Sequence, residues 1–235
     1  MRILYVFPHP DDESFGPALA ISRQRREGDE VHLLTLTRGG ATKQRHRLGL
    51  SIEEMGEVRL KEMEEVQGVL NLSGMSVLDH PDSGLKEVDP RTLEESVASA
   101  IHRVEPAVVV TYAVHGVSGF HDHLVTHAVV KRVFCEERER LPSRLLRRLA
   151  LFTLPPTEEP DSSFPLHTST NEEIDCAVEV EDQDVDRARR ALDCYVTYRD
   201  VIEAADPLSR VGRTVHFELF QESRSPWLTS LGAGL

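Results

Sequence analysis

The sequence predicts a three-layer α/β/α protein of the Rossmann-like type, with a mostly parallel central sheet. Short apolar runs rich in β-branched residues, such as RILYVF at 2–7 and AVVVTY at 107–112, alternate with segments of helical periodicity. This alternation is typical of βαβ crossovers, which connect parallel strands. The length of 235 residues also suffices for one large domain with a complete core.

Each element is predicted from its own pattern. Apolar β-branched runs indicate the strands, which are expected at 2–7, 31–37, 76–79, 107–112, 149–154, 173–180 and 214–220. Helical spacing and start or stop residues indicate the helices, which are expected at 14–27, 54–72, 89–104, 122–139 and 182–203. For example, the Gly-Asp pair at 28–29 ends the first helix.

We expect a single domain over residues 1–235. Its core with the functional site covers 1–154, and 155–235 complete it with a long loop, a strand, a helix, a strand and a tail. The loop is predicted at 155–172, which is rich in proline, serine and threonine. The final residues, SPWLTSLGAGL, are expected to fray or to dock on a neighbouring subunit.

The composition excludes several classes of function. The formal net charge of −13 is unsuited to nucleic acid or to an anionic membrane surface, both of which need basic proteins. No apolar stretch approaches the roughly 18 residues of a membrane span, so we expect no membrane insertion. The N-terminal apolar run ends in charge and lacks a small-residue cleavage site, which predicts a cytoplasmic protein.

Cysteine usage points to reduced thiols. Cys135, Cys176 and Cys194 are odd in number and far apart in the chain. We therefore expect neither a disulfide framework nor a zinc site built from thiolates.

Two polar clusters stand where predicted strands end. The first is HPDDE at 9–13, after the strand at 2–7, and the second is HGVSGFHDHLVTH at 115–127, after the strand at 107–112. Ligands of open parallel sheets bind at the carboxyl ends of the strands. Mixed His and Asp side chains without cysteine suit zinc or a similar divalent ion in an open catalytic site.

A helix N-terminus is the alternative interpretation of the first cluster. Asp, Glu and Ser at 11–14 are residues that cap free N–H groups and oppose the helix dipole. Capping explains neither His9 nor the second His-Asp-His at the same edge of the sheet. The two clusters together therefore favour the metal site.

At these residues the chain resembles the PIG-L/LmbE-like family of zinc-dependent N-acetylglucosaminyl deacetylases. The family's first motif, an apolar strand followed by His-Pro-Asp-Asp-Glu, stands intact at 9–13. Its second motif, near His-Pro-Asp-His, stands here as FHDH at 120–123. Further matches are TRGG at 37–40, RLKE at 59–62, HPDSGL at 80–85 and FELF at 217–220.

The resemblance implies a metal-dependent hydrolase. His9, Asp12 and His123 become the metal ligands, and Asp11 becomes the general base that takes a proton from metal-bound water. The implied ion is Zn²⁺, with Fe²⁺, Co²⁺ or Mn²⁺ as alternatives.

The second motif departs from the family at one position. In the family its first histidine stabilises the oxyanion or helps the leaving group, and Phe120, which stands there, can do neither. The resemblance leaves His121 as the expected replacement and His115 as the other candidate. Asp122 is expected either to orient His121 or to support His123.

Two residues are expected to bind substrate. By the resemblance, Arg59 would reach the sugar or its polar substituents, and Glu13 of the first motif is the second expected substrate-binding residue.

The expected reaction is removal of acetyl from an N-acetylated amino sugar of the N-acetylglucosamine type or from its conjugate. Two alternatives stay open: an amidase acting on a larger thiol-sugar or natural-product conjugate, and a non-catalytic relative that binds sugar or metal. The expected partner is a small amino-sugar molecule, and a homo-oligomer is left open.

Overall fold

The computed structural model describes residues 1–142, 145–157 and 165–235. Its strands are β1 (Arg2–Phe7), β2 (Glu30–Thr37), β3 (Gly74–His80), β4 (Val108–Tyr112), β5 (Arg148–Thr153), β6 (Cys176–Glu179) and β7 (Thr214–Leu219). Its α-helices are α1 (Pro17–Arg26), α2 (Gln44–Leu48), α3 (Ile52–Leu70), α4 (Pro90–Val104), α5 (His121–Arg140), α6 (Asp182–Asp193), α7 (Arg199–Ala205) and α8 (Pro207–Val211).

The strands form one sheet in the order β3-β2-β1-β4-β5-β7-β6. The first five strands of the chain pair in parallel, whereas β7 pairs antiparallel with both β5 and β6. The chain builds outward from β1 to β3 and then returns to place β4 on the other side of β1. A crevice at the carboxyl ends of the strands is expected at such a reversal of strand order.

Helices cover both faces of the sheet. On one face α1, α3 and α6 contact each other, and on the other α4 packs against α5. Side chains of β1 therefore alternate between two buried cores, with Ile3, Tyr5 and Phe7 in one and Leu4 and Val6 in the other. The prediction of a three-layer, mostly parallel α/β fold is confirmed.

Helix boundaries follow local capping. Ser51 and Glu54 form a reciprocal capping box at the start of α3, and the Asp89 carboxylate accepts a hydrogen bond from Arg91 N–H before α4. The helix expected at 14–27 begins only at Pro17, because Ser14 N–H and Phe15 N–H donate to the Asp11 carbonyl in a preceding turn.

The helix expected over 182–203 is broken into two. After α6 the chain makes a 3₁₀ turn at Val196–Tyr198 and continues as α7. The break occurs where Thr197 N–H donates to the Glu62 carboxylate, 2.8 Å away, in place of a helical carbonyl. Helices α2 and α8 are additions that the sequence did not predict.

The C-terminal tail docks on its own chain, contrary to the expectation that it frays or meets a neighbouring subunit. The buried Arg148 guanidinium donates to the carbonyls of Leu231 and Ala233 at 2.5 and 3.1 Å. In the loop predicted at 155–172, residues 158–164 lie outside the described residues, and the described residues before and after them belong to no helix or strand.

The predictions of reduced cysteines and of no membrane-spanning helix are compatible with this fold. The three cysteines, all within the described residues, are free thiols. No helix in the described part of the chain has the length and apolar character needed to cross a bilayer.

Candidate metal centre and catalytic base

The three predicted metal ligands meet at the crevice between β1 and β4. His9 and Asp12 lie in the turn after β1, and His123 lies in the first turn of α5, which follows β4. One ligand atom from each of the three residues lies within 4.8 Å of the other two. Two imidazoles and one carboxylate at this spacing form a donor set that fits zinc or a similar divalent ion.

Asp12 is held through both of its carboxylate oxygens. Oδ2 accepts from His9 N–H and Oδ1 accepts from the Tyr112 hydroxyl, each at 2.8 Å. Burial would raise the pKa of Asp12, but the neighbouring imidazoles of His123 and His9 outweigh it and lower the pKa to about 2. The carboxylate is therefore ionised, as a metal ligand must be.

His123 is oriented through one ring nitrogen. Its Nδ1 lies 2.9 Å from the Gly116 carbonyl oxygen, while its Nε2 lies 3.3 Å from Asp12. The ring stacks on Tyr112, with centroids 4.3 Å apart. Burial lowers the pKa of His123, which keeps the ring neutral and leaves Nε2 available to a metal.

Glycine is required at position 116. Its φ is +64°, and a Cβ there would lie 2.8 Å from the Cβ of His123. The loop after β4 can therefore approach His123 only with glycine at this position.

Carboxylates surround His9. Its Nδ1 lies 3.4 Å from Asp12, and its Nε2 lies 3.4 Å from Asp82 and 3.3 Å from Asp122. Burial would lower the pKa of His9, but hydrogen bonds to Asp12 and Asp122 outweigh it and raise the pKa to about 10. This concentration of negative charge favours a positive charge at the site, and a metal ion bound there would displace the proton of the His9 ring.

Asp122 has a different position from the one expected. Its Oδ2 contacts His9, and its Oδ1 accepts from Leu85 N–H at 3.2 Å. The expectation that it orients His121 or supports His123 is therefore corrected: the first turn of α5 directs this carboxylate towards His9. Asp82, beside it, accepts from Ala41 N–H at 2.6 Å.

Asp11, the expected base, lies next to the predicted metal ligands and is 9% exposed. Its φ is +84°, a left-handed conformation that aspartate tolerates better than most residues. Burial raises the pKa of Asp11 to about 7, although the charge of Arg59 opposes this rise.

Arg59 lies behind Asp11, and contrary to the expectation that it binds substrate it does not reach into the crevice. It is 2% exposed, and its guanidinium donates to the Asp11 carboxylate at 2.5 Å, to the Pro10 carbonyl at 2.7 Å and to the Gly39 carbonyl at 3.2 Å. A Cβ at Gly39 would lie 2.4 Å from Nη1 of Arg59, which explains the glycine of TRGG. Arg59 therefore fixes Asp11.

Glu13 is also placed away from substrate. Its side chain is fully buried and accepts from the hydroxyls of Ser14 and Tyr195 at 2.5 and 2.7 Å. Burial raises the pKa of Glu13. Direct contact with a substrate, as expected from the sequence, would require this buried network to open.

The remaining candidates lie around the second motif. Phe120 is 54% exposed, and its ring meets His123 edge-on with centroids 5.7 Å apart. His121 is exposed at the first position of α5, and its role stays a prediction. His115 accepts from Val117 N–H at Nδ1, and its Nε2 lies 3.2 Å from Ser169, so both of its nitrogens are engaged within the protein.

Sequence reasoning missed two residues of this centre. Tyr112 ends a strand and reads as core, although its hydroxyl holds Asp12. Tyr198 lies far along the chain in a predicted helix, although its ring covers the Arg59 guanidinium at 4.1 Å. Its only sequence signal is a tyrosine pair, Tyr195 and Tyr198, in a polar segment.

Comparison with known proteins gives a family and two groups of relatives. The family profile described as PIG-L: GlcNAc-PI de-N-acetylase matches residues 4–134. A 1D-myo-inositol 2-acetamido-2-deoxy-alpha-D-glucopyranoside deacetylase of Kineococcus radiotolerans is 32% identical over 158 residues, covering 56% of this chain and 44% of the relative. A mycothiol S-conjugate amidase of Streptomyces coelicolor is 30% identical over 152 residues, covering 57% of this chain and 52% of the relative.

The chain spans about half the length of the curated relatives it matches. A solved structure, the deacetylase-bog complex of teicoplanin biosynthesis, has a TM-score of 0.71 and covers 93% of this chain and 97% of its own. Its sequence identity is 16%, so this likeness establishes the fold.

Proposed function

The chain belongs to the PIG-L family, and on that basis we propose that it hydrolyses the acetamide of an N-acetylated amino sugar or of its conjugate. The amide C–N bond breaks, the oxygen of water joins the acetyl carbon, and acetate and the free amine leave. Support comes from the match over residues 4–134 and from the two relatives, which are named for a deacetylase and for an amidase.

The observation that carries the proposal is the convergence of His9, Asp12 and His123 within 4.8 Å at the strand-order reversal. These residues would hold the divalent ion, for which Zn²⁺ is our first choice and Fe²⁺, Co²⁺ or Mn²⁺ are alternatives. Such an ion supplies Lewis acidity, which polarises an amide carbonyl and makes water more acidic.

Asp11 is suited to accept the proton of the attacking water. Its Oδ2 is bound to Arg59, and in the described contacts Oδ1 stays outside that ion pair. The carboxylate adjoins the ligand Asp12 in sequence and is largely shielded from solvent. A carboxylate fixed beside the reacting water is an effective general base.

A second group must serve the departing amine, because Phe120 cannot donate a proton. We assign this role to His121, which is exposed at the start of α5, two residues before His123. Asp122 does not orient it, since that carboxylate is bound to His9 and Leu85.

The amidase alternative has one observation in its favour. Phe120 presents an exposed apolar ring directly beside a proposed metal ligand. Such a surface suits a conjugate larger than a simple sugar, for example the S-conjugate in the name of the Streptomyces coelicolor relative.

A cytoplasmic location and a homo-oligomeric state of this protein stay predictions.

Amine release by the zinc-loaded protein tests the proposal. We expect release from 1D-myo-inositol 2-acetamido-2-deoxy-alpha-D-glucopyranoside or from a mycothiol S-conjugate, and the preferred compound identifies the substrate class. Chelation and His123→Ala should each reduce release by about 100-fold or more. His102→Ala, an exposed histidine on α4, is the matched control and should retain activity. Release that survives both chelation and His123→Ala would contradict the proposal.

A further inference from the structure

The segment between α6 and α7 reaches across the molecule to the N-terminal motif. The Tyr195 hydroxyl donates to Glu13 at 2.7 Å, and Thr197 donates to Glu62 through both its backbone N–H and its hydroxyl at 2.8 Å. All of these donors lie outside residues 4–134, the part that the family profile matches. The C-terminal third therefore contacts the candidate site directly.

Tyr198 lies against the charged group that holds the base. Its ring centroid is 4.1 Å from Cζ of Arg59, and its hydroxyl donates to Thr42 at 2.6 Å. The edge of the same guanidinium donates to the Asp11 carboxylate and to the Pro10 carbonyl. Arg59 is thus fixed in its plane by hydrogen bonds and across its face by an aromatic ring.

We propose that Tyr198 is a positioning residue for Asp11, acting through Arg59. The proposal rests on the proposed function, because Asp11 needs a fixed direction only if it receives a proton. The described side-chain contacts of Tyr198 are with Arg59, Thr42 and the apolar core that holds Tyr5 and Phe7, so it acts on Asp11 through Arg59. Displacing the base by about 1 Å lowers the rate by about 100-fold, and the loss falls on kcat because the base acts only in the transition state.

The ring, and not the hydroxyl, carries this role. Stacking on a guanidinium needs only the aromatic face, which phenylalanine also provides. Attachment of the segment to the core is supplied separately by the hydrogen bonds of Tyr195 and Thr197. Removing the ring should therefore release Arg59 while the segment stays docked.

Three variants separate these contributions. Tyr198→Leu removes the ring, Tyr198→Phe removes only the hydroxyl, and Val196→Ala trims an exposed side chain of the same segment. On the zinc-loaded protein, with 1D-myo-inositol 2-acetamido-2-deoxy-alpha-D-glucopyranoside as probe, Tyr198→Leu should lower kcat by about 10- to 100-fold. Its KM should stay within about twofold, and Tyr198→Phe and Val196→Ala should keep kcat within about twofold.

Each other result would overturn the proposal. A raised KM with unchanged kcat would mean that Tyr198 contacts substrate. Equal kcat in Tyr198→Leu and the unaltered protein would mean that the ring does not position the base. An equal loss in Val196→Ala would mean that the segment matters only for folding.

A second readout does not depend on turnover. The guanidinium N–H protons of Arg59 give a ¹⁵N NMR signal that is identified by its disappearance in Arg59→Lys. These protons should exchange slowly with solvent in the unaltered protein and in Tyr198→Phe. The exchange should be at least about tenfold faster in Tyr198→Leu, because the ring no longer holds the buried guanidinium.

If the amino-sugar probe is not hydrolysed, the proposed function fails for that compound. Unchanged exchange in Tyr198→Leu would instead refute the contact between Tyr198 and Arg59 as a restraint.

Discussion

Among single residues, Tyr112 determines how the candidate metal ligand Asp12 is presented. Its hydroxyl fixes Oδ1, while His9 N–H fixes Oδ2, so the carboxylate cannot rotate. Its ring also stacks on His123. One side chain therefore orients two of the three candidate ligands, an arrangement that commonly tunes metal affinity.

We predict that Tyr112→Phe weakens zinc binding by about 10- to 100-fold, because the ring stack is kept but Asp12 loses one of its two anchors. Competition with a chelating dye measures the affinity. Tyr5→Phe is the matched control: it also removes one buried hydroxyl bond, to Gln24 at 3.0 Å, and should leave zinc affinity unchanged. Equal affinity in Tyr112→Phe and the unaltered protein would show that Tyr112 is core only.

The sequence predicted the positions of those site residues that stand together in short motifs. His9, Asp11 and Asp12 stand in one short motif, and His123 stands in a second motif at the same edge of the sheet, so their convergence could be predicted. The position of Arg59 could not, since its direction depends on Asp11, 48 residues away, and on Tyr198. An arginine in a helix otherwise reads as a surface residue.

Among the helices, α1 and α6 are joined by a bidentate ion pair. Arg26 donates to the two carboxylate oxygens of Asp184 at 3.0 and 2.8 Å, and Asp184 also accepts from Glu181 N–H at 3.0 Å. Burial would raise the pKa of Asp184, but the hydrogen bonds from Arg26 and Glu181 outweigh it and lower the pKa. Helix α1 directly follows the turn after β1 that carries His9 and Asp12. This ion pair therefore connects the C-terminal third to the candidate metal centre.

We predict that Asp184→Asn lowers the free energy of unfolding by about 2 kcal/mol at pH 7, because a charged, buried acceptor is lost. A group whose pKa is lowered by folding stabilises the protein above its unfolded pKa, about 3.9 for Asp, and loses that contribution as pH falls through the lower folded value. The difference between variant and parent should therefore shrink below about pH 4.

Urea unfolding at pH 7 and at successively lower pH values measures this difference. Asp186→Asn, an exposed aspartate on the same helix, is the control and should change stability by less than about 0.5 kcal/mol at each pH. A difference for Asp184→Asn that stays constant as pH falls would contradict the ion pair as its cause.

Helix periodicity predicted α3, α4 and α5 well because it depends on residues close together in the chain, and α3 and α4 also carry local caps. It failed at 182–203, where a continuous helical pattern is interrupted. The interruption depends on Glu62, 135 residues earlier, which accepts two hydrogen bonds from Thr197. Such a long-range hydrogen bond to the backbone cannot be predicted from a local periodic pattern.

For the whole molecule, we propose that residues 1–235 form one domain. Strands β6 and β7 belong to the same sheet as β1, and the tail is fastened by Arg148, which also binds the Glu222 carboxylate at 2.7 and 2.8 Å. The alternation of strands and helices predicted the parallel part of the sheet. The docking of the tail could not be predicted, because its partner is a buried arginine on a distant strand.

We propose that Asp11 is the base of a metal-dependent hydrolase, and the decisive measurement is amine release per bound zinc ion in Asp11→Asn and in the unaltered protein. Asparagine also tolerates the positive φ of this position, so the fold should be kept. We expect about one zinc ion per chain in both proteins. Release should be at least about 100-fold slower in the variant. Release at the unaltered rate by fully zinc-loaded Asp11→Asn would contradict the role of Asp11 as the base.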